Sequence, residues 1–160
     1  MDHSLTMKKL SALLLGLSVV AACGKGGGGA AKMKTVDLGD TGFVIDVPDG
    51  WSVEVPMKGF FDFKGGRPAP QVMVSPSKAQ SADELVTSHC EGRTTDVKKE
   101  TLPSGGAFVS CKGESKMVKG VQTTQIVAEI PNGEESFMCH LETDKDVETV
   151  SKICKSIRKK

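Results

Sequence analysis

The chain has 160 residues, with 21 basic and 20 acidic side chains and a formal net charge of +1. This balance argues against nucleic acid as a partner, because nucleic-acid-binding proteins carry a basic patch or stripe. The absence of Tyr and the single Trp argue against an aromatic stacking platform.

An export signal is predicted at the start of the chain. Lys8 and Lys9 precede an uncharged, mostly apolar stretch of 13 residues, 10–22, and Cys23 follows it directly. As a helix this stretch measures about 20 Å, which is short against a hydrocarbon core of about 30 Å. Basic residues, an apolar run and small residues, in that order, are typical of a signal peptide.

The segment Val20-Ala21-Ala22-Cys23 resembles the lipobox of bacterial lipoproteins, in which signal peptidase cuts just before a diacylated cysteine. The resemblance implies cleavage between Ala22 and Cys23 and attachment to a membrane through acylated Cys23. It also implies three acyl chains, which hold firmly where one holds only marginally. The second residue of the mature protein would be Gly24. By the same resemblance, a residue other than Asp at this position favours the outer membrane. An ordinary secretory signal that ends at Ala21-Ala22 is the alternative.

A glycine-rich tether is predicted after the cysteine, with four consecutive glycines at its centre, Gly26–Gly29. Such a segment has no preferred conformation and buries no apolar surface. A phosphate-binding loop is discounted because no strand precedes it and no G-K-[ST] follows. We therefore expect a signal peptide at 1–22, the acylated cysteine and tether at 23–34, and a single domain at 35–160.

Strands are predicted in the first part of the domain. Residues 43–47 and 51–55 alternate between apolar and polar side chains around the turn signal Pro48-Asp49-Gly50, which predicts a hairpin. Two shorter strands are predicted at 60–63 and 71–75.

A helix and a second group of strands are predicted next. Ser81 and Glu84 form a capping box, which predicts a helix as far as Cys90, and Gly92 can end it. Asn-Gly within residues 131–133 is a strong hairpin signal. Strands are predicted at 107–111, 123–130 and 135–141.

A closing amphipathic helix is predicted from about Asp144 or Asp146. Its apolar positions are Val147, Val150, Ile153, Cys154 and Ile157. The basic residues at the end are expected to complement the helix dipole, with lipid headgroup contact as the alternative; they are Lys155, Arg158, Lys159 and Lys160. The order of strands, helix, strands and helix predicts an α+β fold, an antiparallel sheet covered by two helices.

Residues 43–51, 81–90 and 153–157 resemble the corresponding parts of the PsbP-like family. This family includes an extrinsic photosystem subunit, a Ran-binding import factor and many bacterial lipoproteins. The resemblance implies a PsbP-like sandwich over about residues 36–157. It implies no functional residue, because members bind unrelated partners.

Four cysteines remain once Cys23 is acylated, and an even number in an exported domain predicts disulfide bonds. Three pairings are open. We favour the two local ones, Cys139–Cys154 and Cys90–Cys111, each joining a helix to a strand. A Cys₂His₂ metal site that adds His89 and His140 is the alternative. Adjacent strand residues point to opposite faces, which argues against Cys139 and His140 sharing one ion.

No catalytic motif is found in the domain, and a copper site would require a cluster of Met and His that is not visible along the sequence. Met117 and Met138 are interpreted as core or strand residues. We therefore expect a non-enzymatic envelope lipoprotein, without cofactor or metal, that binds another envelope protein or a cell-wall component. The alternatives are a small-molecule or metal-binding protein and, ranked lower, a thiol–disulfide redox protein.

Overall fold

The computed structural model describes residues 32–160. The predicted signal peptide, Cys23 and most of the tether lie outside the described residues, so these remain predictions. Within the described residues, the elements are β1 (Met33–Asp37), β2 (Phe43–Pro48), β3 (Ser52–Met57), β4 (Phe60–Lys64), β5 (Gln71–Ser75), α1 (Ala82–His89), β6 (Thr95–Thr101), β7 (Ala107–Glu114), β8 (Gln122–Asn132), β9 (Glu135–Thr143), α2 (Val147–Lys155) and β10 (Arg158–Lys159).

The strands form two antiparallel sheets. The large sheet has seven strands in the order β3-β4-β5-β9-β8-β7-β6, and the small sheet has three in the order β1-β2-β10. Within residues 32–160, no helix has the length and apolar character that crossing a membrane requires.

The large sheet has two covered faces. The face that carries Val109, Val127 and His140, which we call the α1 face, packs against α1 over β6, β7 and β8. The opposite face, which we call the α2 face, carries Phe108 and Cys139 and packs against α2 and the small sheet. The main core fills the α2 side and a smaller apolar cluster lies under α1.

The alternating apolar residues of the sequence are those whose side chains are buried in the two cores. Phe43, Ile45 and Val47 of β2 are buried in the main core, and the Phe43 ring lies 4.4 Å from the Phe137 ring of β9, measured between centroids. Under α1, Leu85 is fully buried. Its helix begins at the predicted capping box, where the Ser81 backbone N–H donates to the Glu84 carboxylate.

The predicted hairpin at 43–55 is wrong. β2 lies between β1 and β10 in the small sheet, whereas β3 pairs with β4 in the large sheet. Both edges of β2 are therefore occupied, and the turn at Pro48-Asp49-Gly50 carries the chain from one layer to the other. The later hairpin around Asn132 and Gly133 is confirmed by the pairing of β8 with β9.

Three strands lie outside the predicted set. β1 begins at Met33, so the folded part includes two residues that the sequence assigned to the tether. β6 is exposed along its whole length and has a polar sequence, so it shows no apolar alternation. β10 has only two residues and follows shortly after α2.

The interpretation of Met117 as a core or strand residue is also wrong, because it lies in the β7–β8 loop with 89% of its surface exposed.

Of the C-terminal basic residues, Lys155 lies in the last turn of α2, as the helix-dipole interpretation expects, whereas Arg158, Lys159 and Lys160 follow the end of the helix. Arg158 belongs to β10 and makes two charge-assisted hydrogen bonds to the Asp46 carboxylate, of 2.9 and 3.0 Å. Lys160 forms an ion pair with Asp37. Arg158 and Lys160 therefore hold the C-terminus to the small sheet, so the expected helix-dipole role is wrong for these two residues.

Candidate functional site

Two disulfide bonds hold the helices to the large sheet, one on each face. Cys90, just after α1, bonds to Cys111 of β7 on the α1 face. Cys154 of α2 bonds to Cys139 of β9 on the α2 face. These are the two pairings favoured from the sequence, and they leave no described cysteine free for the Cys₂His₂ alternative.

The disulfide sulfurs are shielded from solvent. Cys111, Cys139 and Cys154 have no exposed surface, and Cys90 is 5% exposed. A thiol–disulfide enzyme needs an accessible sulfur for attack by a thiolate. The burial of both pairs therefore supports a structural role.

Half of the α1 face is left uncovered by the helix, and a row of apolar side chains crosses it. The strand register places four of them in one row across β3, β4, β5 and β9: Met57 opposite Phe60, Phe60 opposite Met73, and Met73 opposite Met138. Met57 is 63% exposed and Phe60 is 42% exposed, whereas Met73 and Met138 are half-buried. We call these four residues the apolar row.

Two histidines lie beside the apolar row. His140 follows Met138 by two positions on β9 and therefore shares its face, and His89 is the last residue of α1. Burial lowers the pKa of His140, and the nearby His89 imidazole lowers it further. Burial also lowers the pKa of His89, the Glu129 carboxylate opposes this shift, and Lys116 adds to it. Both imidazoles are therefore harder to protonate than an exposed histidine.

Sequence reasoning missed this grouping because its members are far apart in the chain. Met73 and Met138 face each other only because β9 pairs with β5, a connection between strands that are not consecutive. The alternation of β9 around Met138 and His140 was the one available signal. Among the described residues, no group of three or more His, Cys, Asp and Glu side chains is placed to hold a metal ion.

A cleft of about 760 Å³ opens between the two sheets, at the end where the turn after β1 approaches the β3–β4 hairpin. Buried apolar side chains, among them Leu38, Phe61 and Phe137, form its floor. Lys58 and Glu135 stand at its rim. The cleft has the size and character of a small-molecule site.

The single tryptophan is not available as a flat binding platform. A Cβ atom built on Gly66 would lie 2.1 Å from the Trp51 indole, so the glycine backbone packs directly on the ring. This contact explains why residue 66 has no side chain, and it assigns Trp51 a packing role.

A buried cation, Arg93, lies at the other end of the α1 face and is 2% exposed. Its guanidinium donates to the Thr123 hydroxyl at 2.9 Å and forms an ion pair with Glu142, also at 2.9 Å. A Cβ atom on Gly113 would lie 2.7 Å from the Arg93 side chain. Arg93 is thus packed as a structural group and is not free to bind an anion.

Comparison with known proteins supports the fold but identifies no function or site residue. No family model matches the chain, and no curated protein matches it. Among solved structures, the chain is similar to cyanobacterial PsbP (CyanoP) from Synechocystis sp. PCC 6803, with 13% identity and a TM-score of 0.50 over 86% of this chain and 99% of that one. A crystal structure from Bacteroides thetaiotaomicron VPI-5482 aligns with 11% identity and a TM-score of 0.44, over 74% of this chain and 45% of that one. The similarity to the cyanobacterial protein confirms the predicted α+β, PsbP-like fold.

Proposed function

We propose that this chain is a lipid-anchored, non-enzymatic protein of the bacterial envelope that binds a partner protein through its β3–β4 hairpin. A location outside the cytoplasm is supported by the two disulfides, because such bonds form and persist in oxidising compartments. The anchor is supported by the lipobox-like segment that ends at Cys23, and the outer membrane by Gly24.

The observation that carries the proposal is the exposure of apolar side chains on this hairpin. Met57 and Phe60 lie opposite each other and are 63% and 42% exposed, and Val55, which is 53% exposed, lines the neighbouring cleft. Single exposed apolar residues are common, whereas a group on one edge marks an interaction site. Methionine adapts its shape to a partner surface, which suits this use.

The position of the hairpin is suited to binding a partner protein. The described chain starts at Lys32, whose carbonyl accepts a hydrogen bond from the Asp49 N–H in the turn that leads to β3. The six residues of β3 then run for about 17 Å to the hairpin tip. The tip therefore lies at the far end of β3 from Lys32. This placement leaves room at the tip for a partner protein.

A protein partner is also favoured over a cell-wall glycan. Sugar rings are commonly bound on exposed, flat aromatic faces. The chain has no Tyr, and Trp51 is packed against Gly66. Phe60 is the exposed aromatic of the apolar row, and its neighbours Met57 and Met73 are apolar.

Site-specific photocrosslinking in the native cell tests the proposal. A photoreactive amino acid at Met57 is expected to give one discrete adduct. The same amino acid at Val97, which is 37% exposed on the opposite edge strand, is expected to give none. The Met57 adduct should be lost in the Phe60→Asp variant and kept in the matched Val97→Asp variant. Equal adducts from both positions, or none from Met57, would refute the hairpin as the docking surface.

The anchor is tested separately by mass spectrometry of the peptide that contains Cys23. An acylated peptide with a new N-terminus at Cys23 is the expected result. An unmodified cysteine would remove the lipid anchor from the proposal and leave the hairpin test unaffected.

The cleft between the sheets supports a second candidate function, the binding of a small apolar molecule with a polar end. A ligand that binds only the folded chain raises its melting temperature. We expect such a rise with a fatty-acid-like compound and its loss in the Phe61→Asp variant. No response across a panel of apolar and amphipathic compounds would refute this function.

A further inference from the structure

The sequence distributes methionine and histidine along the chain, but the fold brings several of them together. Met73 and Met138 lie directly opposite each other on β5 and β9. Side chains in such a pair have Cβ atoms about 5 Å apart. His140 lies two positions along β9 on the same face, about 7 Å from Met138. His89 ends α1 directly before Cys90, whose disulfide bond to Cys111 holds this end of the helix on the same face.

The chemistry of these four side chains is that of a soft metal site. Thioether sulfur selects Cu(I), and imidazole nitrogen binds copper well. All four residues are half-buried, so they are shielded by the fold and still within reach of an ion from solvent.

We propose that Met73, Met138 and His140, with His89 as a further donor, bind a soft monovalent metal ion of the Cu(I) class. The four described cysteines take no part, because all are in disulfides and Cys139 points to the opposite face. The ligand set also argues against zinc. Zn²⁺ takes Cys, His and carboxylate ligands, and among the described residues no group of three of these is placed to hold an ion.

This inference does not rest on the proposed docking function. The hairpin test depends on Met57 and Phe60 at the exposed end of the apolar row. The metal site depends on donor atoms at its half-buried end. Replacement of methionine by leucine removes the sulfur and keeps an apolar side chain of similar volume. Such a change at Met73 or Met138 is expected to weaken metal binding and to leave the photocrosslink from position 57 in place.

The test is an NMR titration of the full chain, purified from membranes in detergent, with ¹³C-labelled methionine methyl groups. Free thiols are alkylated first, without reductant, so that Cys23 cannot bind the metal. The probe is Ag(I), which has the soft character of Cu(I) and needs no reductant that would open the disulfides. We expect the methyl signals of Met73 and Met138 to shift together and to saturate at one equivalent. Met33, which packs on the main core, should not respond.

Variants quantify the contribution of each donor. Met73→Leu, Met138→Leu and His140→Gln should each weaken Ag(I) binding at least tenfold, whereas the matched Met33→Leu variant should bind as the unchanged chain does. The proposal is overturned by the absence of a shift, by equal shifts of all methionines, or by tighter binding of Zn(II) than of Ag(I). The titration of the unchanged chain decides between these outcomes by itself, so a variant that fails to fold does not alter its result.

Discussion

Removal of either disulfide is expected to destabilise the domain by about 3 kcal/mol. The cross-linked residues are separated by 21 positions for Cys90–Cys111 and by 15 for Cys139–Cys154. Loop closure in the unfolded chain then contributes about 3 kcal/mol for each bond. The Cys90→Ala/Cys111→Ala variant should free α1, because a helix of eight residues is marginal without tertiary support. The Cys139→Ala/Cys154→Ala variant additionally leaves a void in the main core, since both residues have no exposed surface.

The two losses should be additive, because the bonds lie on opposite faces of the sheet and share no partner. Together they approach about 6 kcal/mol, a large part of the 5–15 kcal/mol that stabilises a typical domain. Urea unfolding of the purified chain, followed by circular dichroism and by the fluorescence of Trp51, measures each step. Wild-type protein with reduced disulfides is the control for the substitutions themselves. A loss of less than about 1 kcal/mol for either pair would refute the view that the helices are held to the sheet by these bonds.

Two further predictions concern the large sheet. Gly106→Ala should destabilise the fold by about 3 kcal/mol in the same unfolding assay, because the new Cβ would lie 2.3 Å from the backbone carbonyl oxygen of Glu129. A change below about 0.5 kcal/mol would show that β7 and β8 move apart easily at this end. The contribution of His89 and His140 to stability should be fully present above pH 6.5 and should fall as the pH drops below it. Both histidines have a lower pKa in the folded chain than their ordinary value. The unfolded chain therefore takes up protons first as the pH falls. Unfolding measured between pH 5 and 8 should show a shallower fall in His140→Gln, and an unchanged slope would contradict this assignment.

The sequence predicted those features that depend on near neighbours. The capping box at Ser81, the hairpin around Asn132-Gly133 and the amphipathic pattern of α2 all appear in the structure. Each is encoded within a few residues, where backbone propensity and apolar periodicity act directly. Strand parity also favoured the correct disulfides, because Cys111 and Cys139 each face the helix that carries their partner.

The features that escaped prediction depend on distant parts of the chain. The hairpin at 43–55 was expected because two alternating strands flanked a turn, yet β2 finds its partners in β1 and in the last residues, β10. The polar edge strand β6 has no buried face to create a pattern. The Met–His grouping escaped for the same reason as β2, since the pairing of β5 with β9 joins residues 65 positions apart at Met73 and Met138.

The place of the candidate site follows from the dimensions of the fold. Seven strands at a spacing of about 4.8 Å extend about 29 Å between the outer strands, whereas a helix with its side chains is about 10–12 Å wide. The single helix α1 packs over β6, β7 and β8, so it leaves the α1 face of β3, β4 and β5 without cover. The uncovered positions carry polar side chains, among them Glu54, Asp62 and Gln71. Met57, Phe60 and Met73 interrupt them as one apolar row, in register across three strands. That departure from ordinary surface composition is the physical reason to look for both the partner and the metal at this half of the sheet.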